Sequence, residues 1–161
     1  MARVPDATLD DSIPVHNNLV RATYNNPEMH RGFASLSGRV HSASHLPDRV
    51  RELAVLRIAA LLGAEFEWNS HAPRARDIGI SELELQALRR GEIDAFEPSE
   101  AAVIRFAVAV EERTVDDVLW REVAAYYDAT ALLDLTMLVA FYGLASRLVL
   151  ALDINDDSET A

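Results

Sequence analysis

The chain has 161 residues, half of them apolar, with six glycines, six prolines and no cysteine, which fits one ordinary domain spanning 1–161. Lys and Arg total 15 against 26 Asp and Glu, and a net charge of −11 repels polyanions, so neither nucleic acid nor an anionic membrane surface is an expected partner. The missing cysteines exclude disulfides, zinc thiolate sites and dithiol redox catalysis together, because each needs a thiolate.

The opening residues, MARVPDATLDDS, carry one early Arg and then acids, without the apolar segment of a secretory signal. No stretch approaches the roughly 18 uninterrupted apolar residues of a spanning helix, and a soluble, cytoplasmic protein is expected. Helical periodicity dominates from end to end, which predicts an all-α fold of about seven to eight helices. A short helix is expected at 16–25, and a second from Pro27 with Asn26 as its cap, proline being well tolerated at the first helical position. His41 to His45 reads as a loop.

A third helix starts near Pro47 and ends around Gly63; it is apolar nearly all round, as expected of a buried element. The next, about 64–77, carries Phe66 and Trp68 near its start, meets Pro73 as a kink or boundary, and stops at Gly79. Ser81 with Glu84 forms a capping-box pattern for a short helix ending at Gly91. Helices follow at about 99–113, 116–127 and 130–152. The last is apolar on more than one face, which points to the centre of the core or half of a subunit interface, and the acidic tail at 153–161 is expected to be disordered.

The chemistry concentrates in RELAVLRIAALLGAEFEWNSHAPRARDIGIS at 51–81. Glu67 and His71 are four apart, so on one helix they share a face. Such a pair is commonly no more than a solvated surface pair. The setting favours chemistry: Phe66 and Trp68 flank Glu67, and Glu52 sits on an otherwise apolar helix, where a carboxylate must find a partner or shift its pKa upward. Arg51 and Arg57 are its ordinary partners. If Glu52 instead packs on His71, a carboxylate orients an imidazole beside a second carboxylate, and such a cluster moves protons near neutral pH. Ser70 lies about 100° around the helix from His71 and is not in a nucleophile elbow. A metal held by two carboxylates and one imidazole is the competing use of the same residues, and His41 and His45 are near enough in sequence to reach a pocket at Glu52.

These residues resemble the carboxymuconolactone decarboxylase and alkylhydroperoxidase D superfamily over nearly the whole chain. The resemblance rests on NNP at 25–27, Leu46-Pro47, Arg51-Glu52-Leu53, the Trp68 and His71 segment, Gly79 followed by Ser81, and Phe141-Tyr142-Gly143 with Arg147. It implies an alkylhydroperoxidase D-like helical bundle. In the peroxidase branch a Glu on the preceding helix joins a Cys-x-x-Cys-x-x-x-His motif. Counting back from His71, the two Cys positions fall on Ala64 and Glu67 and the Glu falls on Glu52, so the relay matches and both sulfurs are missing.

The acid at Glu67 is similar to the decarboxylase side, where a cofactor-free enzyme works on a lactone bearing a carboxylate. The resemblance thus implies a cofactor-free, metal-free lyase or related isomerase, dehydratase or cyclase acting on a small lactone or carbonyl acid, with Glu52, Glu67 and His71 as catalytic groups. Arg147, with Arg51 second, is the cation expected to seat a substrate carboxylate, and Trp68 and Tyr142 are expected to wall the pocket. A homo-oligomer, trimer or hexamer, is implied as well. The alternatives are a non-catalytic oligomeric small-molecule-binding protein and a metal-dependent lyase using the Glu/Glu/His cluster.

Overall fold

A computed structural model describes residues 2–9, 13 and 17–155, which form eight α-helices and, among the described residues, no strand. In chain order these are α1 (Asn18–Thr23), α2 (Pro27–Ser42), α3 (Asp48–Leu62), α4 (Glu65–Asp77), α5 (Glu82–Arg90), α6 (Pro98–Glu112), α7 (Asp117–Ala124) and α8 (Ala129–Leu152). The all-α bundle matches the expectation from periodicity.

Helix α3 organises the architecture. Val50, Leu53, Ala54, Val55, Leu56, Ile58 and Ala59 are all buried, so no face of the helix is left for water, and α4, α5, α6 and α8 pack around it. Ala54, Ala102, Ala107 and Ala145 are buried where these helices meet, and residues without long side chains let their axes approach. One core cluster joins α2, α3, α6, α7 and α8 around Ile58, Phe106, Leu135 and Leu138. A second joins α3 to α4, α5 and α6 around Leu53, Leu56, Trp68, Leu88 and Ile104. Helix α8 is long and apolar enough to cross a membrane by length and composition, yet half of that apolar window is buried inside the protein.

Local chemistry fixes the helix ends that matter to the site. Asn26 Oδ1 accepts from Met29 N at 3.2 Å, with Pro27 in the first position of α2. Gly63 closes α3 in the left-handed region at φ 69°, a conformation cheap for glycine alone, and this allows the chain to turn at once into α4 and fold it back along α3. Ser81 and Glu84 form the expected capping box, Glu84 Oε2 accepting from Ser81 N at 2.8 Å.

Several boundaries differ from expectation. The segment read as a loop at His41 begins inside α2, which continues to Ser42, with Ala43 N donating to Arg39 O at 3.0 Å. No proline interrupts the chain between Pro27 and Pro47, so nothing stops the helix earlier. Helix α7 ends at Ala124, three residues early. Pro73 is accommodated within α4 on an exposed face and does not end it. At the C-terminus, Ile154 packs into a third cluster with Leu19, Phe66 and Val149, so the chain is held past the expected start of the tail at 153. Residues 156–161 and His16 lie outside the described residues.

Candidate functional site

The Gly63 turn folds α4 back over α3, and this brings His71 and Arg74, from the middle and second half of α4, onto Glu52 in the first half of α3. His71 Nδ1 is 2.8 Å from Glu52 Oε2. A carboxylate only accepts, so Nδ1 donates and Nε2 is the ring nitrogen left for other work. Glu52 is fully buried, and its partners are His71 and Arg74, not Arg51 or Arg57. Arg74 Nε stands 3.1 Å from Glu52 Oε1 as an ion pair, without the alignment of a hydrogen bond.

Two aromatic side chains from other helices complete the cluster. Tyr142 of α8 meets the His71 ring edge to face, centroids 4.9 Å apart at 89°. His41 of α2 lies nearly parallel to His71 at 6.0 Å, and its Nε2 is 2.6 Å from the Tyr142 hydroxyl. Burial, followed by the neighbouring charge on His71, pushes the His41 pKa below its ordinary value, which favours a neutral imidazole. Burial, then the Glu67 and Glu52 carboxylates, push the Tyr142 phenol well above its ordinary value, so it stays protonated and able to donate.

Glu67 is buried one turn before His71, and its Oε1 has no hydrogen-bond partner among the described residues. The pair shares a face, and the His71 hydrogen bond goes to Glu52, the packing that the sequence put forward as the alternative to Arg51 and Arg57. Burial raises the Glu67 pKa, and His71 only partly offsets this. The fold therefore prefers the protonated carboxyl: the stability it contributes is complete below the unfolded value near 4.5 and is lost as pH rises through the higher folded value. Glu67→Gln should consequently raise the melting temperature at pH 7, each tenfold in the ionisation constant being equivalent to about 1.4 kcal/mol. The gain should vanish below about pH 4, where wild-type Glu67 is protonated in both states. Melting curves of the two proteins across pH check this; a glutamine variant less stable at neutral pH contradicts it.

The other expected site residues are placed elsewhere or used otherwise. Arg51 is buried with Nη1 donating to Leu46 O at 2.7 Å and Nη2 to Asp48, which fixes the start of α3. Arg147 pairs with Glu111 of α6 and lines an apolar cavity of about 710 Å³ with Phe33, Leu36, Phe141 and Leu148, separate from the Glu52 and His71 contacts. Trp68 belongs to the core, where the Arg89 guanidinium covers its ring at 4.0 Å. Ser70 returns its hydroxyl to Phe66 O at 2.8 Å, and His45 pairs with Asp134 through Nδ1 at 3.0 Å. Among the described residues no three His, Asp or Glu side chains are grouped to hold a metal ion. Of the two histidines expected to be near enough to reach a pocket at Glu52, His41 joins the cluster and His45 does not, and the residue missed by sequence reasoning is Arg74. For Arg74 the available signal was its spacing, three residues after His71 on one helix face.

Solved structures share this architecture. The alkylhydroperoxidase D core of an uncharacterised peroxidase-related protein from Ralstonia eutropha JMP134 superposes with a TM-score of 0.83 at 16% identity, over 98% of this chain and 93% of that one. A protein of unknown function from Agrobacterium tumefaciens, described as a putative antioxidant defence protein AhpD, gives 0.77 at 19%, over 83% and 94%. The debrominase Bmp8 bound to 2,3,4-tribromopyrrole gives 0.77 at 19%, over 89% and 79%. At these identities the likeness establishes the fold. No functionally curated protein matches the chain. The profile of the carboxymuconolactone decarboxylase family matches residues 27–109, from the start of α2 to near the end of α6, and so includes His41, Glu52, Glu67, His71 and Arg74. The chain belongs to the carboxymuconolactone decarboxylase family.

Proposed function

We propose that this protein is a cofactor-independent acid/base enzyme, a carbon–carbon lyase or a closely related isomerase, dehydratase or cyclase, acting on a small lactone or carbonyl acid. The observation that carries the reading is the 2.8 Å contact of a fully buried Glu52 carboxylate with His71 Nδ1. Glu52 holds one tautomer and stabilises the imidazolium, and Nε2 becomes the atom that gives or takes the substrate proton.

For a decarboxylation, the bond to the leaving carboxylate breaks, CO₂ departs, and the electron pair enters the adjacent carbonyl as an enolate. Tyr142, kept protonated and accepting from the Nε2–H tautomer of His41, keeps its own O–H to donate to the enolate oxygen. His71 delivers its Nε2 proton to carbon and is reprotonated from solvent. Glu67, which burial biases towards the neutral acid, is the second proton carrier. A thiol peroxidase cycle has no place here, because the chain contains no cysteine to be oxidised.

The test is a panel of lactone acids, β-keto acids and β-hydroxy carbonyl compounds, followed by CO₂ release and product formation, with metals chelated and then with divalent metals added. Turnover of one class in chelator is the expected result. Turnover that appears only with metal contradicts the cofactor-free reading, and silence across the panel contradicts the enzyme.

A further inference from the structure

Arg74 is the one side chain of the cluster that reaches well into solvent. Side-chain exposure rises from 0% at Glu52 through 13% at His71 to 47% at Arg74, so a molecule approaching His71 over this edge meets the guanidinium first. Arg74 makes two ion pairs, at 3.1 Å to Glu52 and 3.8 Å to Asp48, and no hydrogen bond among the described residues. It meets these carboxylates as a charge, through Nε and Nη2, and its N–H groups are not used as hydrogen-bond donors among the described residues. Arg49, Arg89 and Arg147, by contrast, each spend theirs on a carboxylate. The cations expected to seat a substrate are also committed, Arg51 to Asp48 and the Leu46 carbonyl, Arg147 to Glu111.

The local charge supports an anion at this edge although the chain as a whole carries −11. Asp48 and Arg51 balance, as do Glu52 and Arg74, burial biases Glu67 towards the neutral acid, and protonation of His71 adds one positive charge. A planar guanidinium beside a proton-carrying imidazole is suited to a carboxylate, which it meets with two parallel N–H···O bonds.

We propose that Arg74 seats the carboxylate of the substrate, with Glu52 fixing the distance between this anchor and the proton carrier His71 by binding both. The proposal rests on the acid/base reading of the same site and narrows it to substrates that keep a free carboxylate in the bound state.

The experiment measures binding of levulinate and of its neutral methyl ester by NMR titration to wild-type protein, Arg74→Met and Arg74→Lys, with melting curves to confirm folding. Wild type is expected to prefer the acid. Arg74→Met should lose about tenfold to hundredfold in affinity for levulinate with the ester unchanged, as for removal of a charge-assisted bond, and Arg74→Lys should recover part of that loss. A purely structural Arg74 would weaken acid and ester alike, and that result overturns the proposal, as does a wild type that binds levulinate no better than the ester. Unchanged acid preference in Arg74→Met, with catalysis dependent on His71, removes the anchor and leaves the acid/base reading. An Arg74-dependent preference in a protein that turns nothing over supports the anchor and removes that reading.

Discussion

Glu52→Gln is expected to fold and melt as wild type does and to lose on the order of 10²- to 10⁴-fold in turnover, the usual range for a positioned acid/base. Glutamine fills the same buried volume, so the packing of α3 against α4 is kept. Its neutral amide stabilises an imidazolium far less than a carboxylate does. Flipped, the amide donates to Nδ1 and drives the proton onto Nε2, the wrong tautomer for accepting a proton there. Steady-state rates beside circular dichroism melting curves separate catalysis from folding. Full turnover in a folded Glu52→Gln protein would show that the 2.8 Å contact with His71 has no catalytic part.

Phe106→Ala should be the most damaging single truncation in the core. Phe106 is among the largest fully buried side chains, belongs to the cluster that joins α2, α3, α6, α7 and α8, and faces Trp120 with centroids 6.1 Å apart at 54°. Deleting the ring removes its burial and leaves a cavity between close-packed helices that cannot fully collapse, a loss of about 3–5 kcal/mol. For a chain of this size that corresponds to a fall of roughly 6–20 °C in melting temperature. Denaturant unfolding measures it directly, and a loss below about 1 kcal/mol would contradict the packing around α6.

The relation between chain and site depends on which interactions are local. The buried character of α3 was legible because its apolar residues leave no polar face, and the starts of α2 and α5 and the end of α3 were legible because Asn26, Ser81 and Gly63 act within one turn of themselves. Glu52 stood out for a similar reason: an acid on an apolar helix needs a partner. The identity of that partner was not local. Arg74 and His71 reach Glu52 because α4 folds back over α3, whereas Arg51, adjacent in sequence, points around the helix towards Asp48. His41 was legible as near enough to reach a pocket at Glu52, but its meeting with Tyr142 spans 101 residues and was not. Arg147 is a second case of a non-local partner. A cation on an apolar helix reads as a substrate anchor, but its partner Glu111 is 36 residues away on α6.

Glu67 illustrates how stability and function divide at this site. A buried carboxyl with one oxygen unpartnered costs the fold stability at neutral pH, and a position that violates the rule for buried polar groups beside a proton carrier is where function is expected to outweigh stability. The Glu67→Gln melting experiment reads the stability side, and rates for the same variant would read the other.

The measurement that bears most directly on the account is turnover by wild type and His71→Ala, side by side, on the substrate class that responds in the panel, with metals chelated throughout. Turnover by wild type without metal, and its loss in a His71→Ala protein that folds normally, is the expected result. Undiminished turnover in folded His71→Ala would contradict the acid/base reading.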